Sequence, residues 1–285
     1  MIPIVGGLGA AFAFATSVLV SARASRRIGS PSTVAGAMSV GLAIALPIAL
    51  VTAPSPDLSG PTLGWLALAG FGNVIGLLLT YAAYRIGAVG IISTIGSTEG
   101  AIASVIAVLA GEVLEPALGP ILAVIVFGVV LAASSGGEEE GVAISRERAT
   151  RAALLSSAAA LCFGLSLFGS AKAAGVLPTA WAILPPRVVG VAVVAVPLVV
   201  LGRFTMTRAT LPLVVVIGVV EVLGFWSYAT GAREGIAVTS VLSSLFAPIS
   251  AIGAYLVFRE RLRPRQIAGI ALVVGGVVVL GLLRA

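Results

Sequence analysis

Of 285 residues, 59% are hydrophobic and only 10% charged, with a mean hydropathy of +1.17; a water-soluble domain needs roughly 25% charge to cover its surface, so that class is excluded. The net charge of +6 does not mark a nucleic-acid binder, because Lys and Arg fall one to four at a time between apolar runs and form no basic face or tail. The chain has no histidine and no P-loop signature, which excludes zincin motifs, His-based triads and ATP hydrolysis of that kind.

The apolar runs are about twenty residues long, the length of a membrane-crossing helix rather than of a barrel strand, so the expected fold is an all-α membrane protein. The first span is predicted over residues 2–22; it is apolar from Met1 and lacks the positive n-region of a cleavable signal, so it is expected to stay in place. Spans over 32–52, 61–84, 89–110 and 117–134 follow. The stretch "SSGGEEEGVAISRERATR", Ser134 to Arg151, is charged and glycine-bearing, and residues 135–151 are expected to form a linker between two halves, 1–134 and 152–285. The second half is predicted to span at 152–174, 178–201, 210–232, 236–258 and 265–283, ten helices in all. Cys162 lies inside an apolar run, where a small packing role is expected.

Charge decides the expected orientation. One set of alternate connections carries Arg23, Arg26, Arg27, Arg85, Arg146, Arg148, Arg151, Arg203, Arg208, Arg259, Arg261, Arg263 and Arg265; the other carries only Lys172, Arg233 and Arg284. The positive-inside rule then places the first set in the cytoplasm and both termini outside.

A shift of 148 residues aligns the chain with itself without a gap: Arg85 meets Arg233, Gly87 meets Gly235, Glu112 meets Glu260, Leu114 meets Leu262 and Pro116 meets Pro264. The shift also lays "GVV" at Gly128 on "GVV" at Gly276. Five spans per copy is an odd number, so the second copy is expected upside down relative to the first, as in alternating-access transporters. Glu112 and Glu260 fall at helix ends and read as hinge and capping residues, with Pro116 and Pro264 opening the helices that follow.

Two five-helix halves, each ending in a Glu-x-Leu-x-Pro hinge and an apolar helix with "GVV" near its middle, resemble the EamA family of the drug/metabolite transporter superfamily. Within it the sequence looks most like the bacterial exporters of aromatic and other neutral amino acids. The resemblance implies a ten-helix basket around a central cavity, with the third, fourth, eighth and ninth helices prominent in its wall. It also implies export of small molecules across the bacterial inner membrane.

Three charges fall near span centres: Glu99, Arg187 and Glu221. Each such charge costs about 2.5–3.5 kcal/mol on insertion scales, so each should face a wet cavity or a partner. Asn73 is the repeat equivalent of Glu221. Periodicity adds Phe225 and Tyr228 to the face of Glu221, and Thr80, Tyr81 and Tyr84 to that of Asn73. Tyr81 and Tyr84, beside Arg85, read equally as interfacial belt residues. Arg187 follows "LPP", where a kink is expected, and is suited to a carboxylate or to an internal pair with Glu99 or Glu221. Gly96, Gly100, Ser93, Ser97 and Ser104 give the fourth span a small polar stripe, matched by Ser240, Ser243, Ser244, Ala247 and Pro248 in the ninth; close packing explains both, and Pro248 in place of Gly100 marks a weak point in each. The expectation is a secondary exporter of amino acids or related metabolites, acting as a monomer in membrane lipid without cofactor, metal or nucleic acid. Proton-coupled efflux of cationic drugs is the alternative.

Overall fold

The computed structural model describes residues 1–52, 56, 58–84, 86, 89–133, 146–258 and 264–284. Among these residues all regular structure is helical. The first half holds α1 (Ile2–Ile28), α2 (Ser30–Thr52), α3 (Gly60–Tyr84), α4 (Val89–Gly96), α5 (Glu99–Leu109) and α6 (Leu118–Ala133). The second holds α7 (Arg146–Val176), α8 (Thr179–Ala182), α9 (Pro185–Gly190), a π turn (Val191–Ala195), α10 (Val196–Val200), α11 (Leu211–Ala232), α12 (Ile236–Ser243), α13 (Phe246–Phe258) and α14 (Pro264–Arg284).

Eight helical stretches among the described residues are long and apolar enough to cross a membrane, and Thr94–Leu109 and Leu118–Ala132 are apolar but shorter. Two boundaries differ from expectation. Helix α7 starts at Arg146, inside the expected linker, because its first turns satisfy themselves: Glu147 pairs with Arg151 at 2.7 Å, one turn apart on a solvated face. Pro116 does not open the next helix, which starts two residues later at Leu118, whereas Pro264 does open α14.

Large and small side chains are sorted inside out. Buried positions are dominated by small residues such as Ala10, Ala11, Ala15, Ala45 and Ala103, while Phe12, Phe71, Phe127 and Leu223 are exposed. Lipid is as apolar as leucine, so burying bulk gains little; small residues instead let backbones approach and pack.

The packing is reciprocal between halves. Helix α1 lies on α11, the third span of the other half, and α3 lies on α7, the first span of the other half; α2 packs on α9 and the π turn, α5 on α12, and α6 on α14. At the α3–α7 crossing Ser166 Oγ donates to the Ala69 carbonyl at 2.6 Å. Exchanging the halves maps each of these packings onto another, with one exception. Helix α4 lies on α7 and α6, and α13 on α1 and α6, but α4 and α13 share no packing comparable to that of α5 on α12 among the described residues.

Candidate functional site

Three spans are interrupted, the fourth and ninth near their middles and the seventh nearer its start, each for a local chemical reason. In the fourth, Ser97 and Thr98 turn their hydroxyls onto the carbonyls of Thr94 and Ile95, at 2.7 and 2.6 Å, and so compete with the helical ladder. Helix α4 ends there and α5 starts anew with Glu99 as its first residue. In the ninth, Pro248 has no N–H to give to the carbonyl of Ser244, and α12 stops at Ser243 before α13 starts at Phe246. In the seventh, Pro185 and Pro186 open α9 after the Ile183–Leu184 turn, and Pro197 deprives the next turn of a donor, which a π turn over Val191–Ala195 absorbs. The expected kink at "LPP" is a two-residue interruption of the helix, at Ile183 and Leu184.

Arg187, the third residue of α9, is 1% exposed. Its Nη2 lies 3.8 Å from Glu221 Oε2, and its guanidinium covers the Phe225 ring, 4.4 Å from the ring centre. Neither Nη1 nor Nη2 has a hydrogen-bond acceptor. The charge is thus compensated through space and by the ring face, while the terminal N–H groups are left unused. Glu221, a quarter exposed, accepts from Ser17 Oγ of α1 at 3.1 Å, and Phe225 meets Phe14 edge to face at 5.2 Å. The arginine can lie so close to α2 because position 41 is glycine: a Cβ there would sit 3.1 Å from Arg187 Nε. Of the two internal pairings open to Arg187, the structure makes the one with Glu221.

Tyr228, two turns beyond Glu221 on α11, is fully buried. Its hydroxyl donates to the Leu167 carbonyl at 3.1 Å and shares a 2.8 Å hydrogen bond with Ser240 Oγ. In this conformation it ties α11 to α7 and α12 and presents no surface to a ligand. Ser244 performs the matching task for the fourth span, accepting from the Gly100 backbone N–H at 3.1 Å. A Cβ at Gly100 would collide with the Ser240 carbonyl and Ser244 Oγ, so only glycine permits this crossing of α5 and α12.

Glu99 is half-buried at the α4–α5 break, and no hydrogen bond or ion pair reaches its carboxylate among the described residues. Its place at a helix start is electrostatically favourable, since the unsatisfied N–H groups of the first turn point toward it. Asn73 is 9% exposed with Oδ1 lacking a donor, and Ser170 Oγ on the neighbouring α7 is fully buried without a partner. Thr80 and Tyr81 are half-buried on α3; the Tyr84 side chain lies outside the described residues, as do Arg85 and Glu260.

The expected single face of α11 is thus divided: Glu221 and Phe225 serve the Arg187 cluster between α1, α2, α9 and α11, and Tyr228 serves the α5–α7–α12 contact. Ser17, Gly41 and Ser170 were missed by sequence reasoning. Ser17 carried a usable signal, a polar residue in the middle of an apolar first span; Gly41 and Ser170 carried none, because small residues in such a chain fit packing equally well.

A model of the EamA-like transporter family matches residues 1–134 and again 150–282. A solved structure described only as "Crystal structure of protein" superposes with a TM-score of 0.79 at 17% identity, covering 99% of this chain and 96% of the other. That likeness concerns the fold. No curated protein matches the chain.

Proposed function

The chain belongs to the EamA-like transporter family, a family of small-metabolite transporters embedded in membranes, and from that premise we propose that it exports carboxylate-bearing amphipathic metabolites, amino acids foremost, by alternating access. The observation that carries the reading is Arg187: a guanidinium 1% exposed, with both terminal nitrogens lacking acceptors beside a carboxylate and an aromatic ring. A substrate carboxylate supplies the two acceptors that Glu221, at 3.8 Å, does not. The unpartnered Asn73 Oδ1 suits an ammonium or other donor on the same substrate, and the Phe14–Phe225 pair its apolar part. Because Arg187 and Glu221 neutralise each other while the site is empty, substrate enters by exchanging with the pair. Transport is uncoupled or weakly coupled to protons on this reading.

In the same reading the ten spans form two inverted copies, residues 1–134 and 152–285, in a bacterial inner membrane with both termini outside. The reciprocal packing of α1 on α11 and α3 on α7, and the bias of arginines to one set of connections, support it.

The test is counterflow in proteoliposomes with a panel of labelled amino acids, sugars and cationic dyes. Amino-acid flux that is lost in a folded Arg187→Ala variant is the expected result; dye flux alone overturns the reading. One observation favours proton-coupled efflux of cations as a second reading, the half-buried Glu99 carboxylate without an ion pair among the described residues. Dye uptake that is driven by a pH gradient and lost in Glu99→Gln is its signature.

A further inference from the structure

The hinge "GEVLEP" at Gly111 has a second role that its sequence does not suggest. Helix α5 ends in a Schellman turn: Gly111, in the left-handed region at φ 97°, donates to the Val108 carbonyl, and the Glu112 backbone N–H donates to the Ala107 carbonyl, both at 3.0 Å. This turn leaves the Glu112 side chain free to leave its own half. Both of its carboxylate oxygens accept from the backbone N–H of Ala237, at 3.2 Å each. Ala237 is the second residue of α12, where helical geometry leaves its N–H without an internal partner. A charged acceptor at a helix N-terminus is also favoured by the helix dipole.

Helix α5 is therefore fastened to α12 at both ends: Gly100 to Ser244 near the breaks, and Glu112 to Ala237 at the far end. The main packings between the halves are reciprocal, α1 on α11 with α3 on α7, but α4 and α13, which exchange of the halves would map onto α12 and α5, are not fastened to each other among the described residues. Among the described residues one pair of half-helices is fastened and its counterpart is not. That is the asymmetry a two-gate transporter must have in either end state.

We propose that α5 and α12 form a gate, closed in this structure, and that the Glu112 carboxylate is its latch, holding the α12 N-terminus while the gate is shut and releasing it whenever the gate opens. Under the orientation given above this gate faces outside, and the structure is the inward-facing state. Glu112 acts through α12 and does not touch substrate: it is a positioning residue for the transport cycle. The proposal rests on the alternating-access reading, but it is tested without substrate.

Spin labels placed at Val113 and Glu234, which are exposed on either side of the latch, in a Cys162→Ala background in lipid nanodiscs, report the gate as a distance distribution. The parent is expected to show one dominant short population. Losing a charge-assisted hydrogen bond should raise the long-distance fraction about tenfold in Glu112→Ala. Glu112→Asp keeps the charge but is one methylene too short, and should open like alanine; Glu112→Gln keeps the reach with a weaker acceptor and should fall between. Unchanged distributions in both Ala and Asp variants overturn the proposal, and so does Asp behaving as the parent while Ala opens, since that would assign the effect to surface charge rather than to the hold on Ala237. Should Glu112→Ala fail to fold, the Asp and Gln pair carries the same test. A counterflow panel that fails beside a gate that responds as stated would leave the latch standing and overturn only the substrate reading.

Discussion

Glu221 and Glu99 are the same carboxylate at similar depth in the chain's apolar spans, yet the fold treats them in opposite ways. Glu221 sits in the middle of an unbroken helix, away from its ends, so its charge is met by side chains: Ser17 on one oxygen and Arg187 at 3.8 Å from the other. Glu99 sits at a helix start, where the backbone itself supplies the positive end of a dipole, and no side chain pairs with it among the described residues. Two ways of placing an acid in an apolar medium follow. One commits a second helix to holding an arginine in place; the other needs only a break.

The sharpest way to break this contrast is Arg187→Ala. It leaves Glu221 half-compensated and should destabilise the protein by about 3–5 kcal/mol, read as a lowered thermal midpoint in detergent. Replacing both partners, Arg187→Met with Glu221→Leu, should recover much of that stability without recovering carboxylate flux; a double variant as unstable as the single would show that the pair is not the cause. Next in size is Gly100→Ala, where the added Cβ strikes α12 and should cost about 1–3 kcal/mol. Gly96→Ala, on the other side of the same break with open space around it, is the control and should be neutral or slightly stabilising. Tyr228→Phe removes the hydroxyl that joins Leu167 and Ser240 and should cost about 1–2 kcal/mol, by the same melt. The smallest effect belongs to Glu99→Gln: losing the dipole interaction should change stability by less than about 1 kcal/mol, against a clearly larger loss for Glu221→Gln. Equal losses at the two positions would erase the distinction.

Much of this was legible in the sequence because the bilayer makes strong demands. Apolar runs of membrane-crossing length gave the helical class and the places of the eight long apolar helices among the described residues. The prolines at 185, 186 and 248 announced two of the three interruptions. The third was less visible, since Ser97 and Thr98 break the helix through hydroxyl bonds that the same residues also form in unbroken ones. Arg187, Glu99 and Glu221 were singled out because an intramembrane charge is rare enough to demand a reason.

The structure redirected the roles of particular residues. Tyr228 was expected on an open face and is fully buried. Glu112 was expected to serve its own hinge, and its carboxylate instead reaches the start of α12 in the other half. Glycines at 41 and 100 looked like members of a packing background, and prove to be where an arginine and a backbone pass. Sequence by itself determined what each segment must be, because hydropathy and charge act on a segment whatever its neighbours. Only the tertiary structure decided which carboxylate meets Arg187 and where Glu112 reaches, because those depend on distances of a few ångströms between residues more than thirty and as many as 204 positions apart.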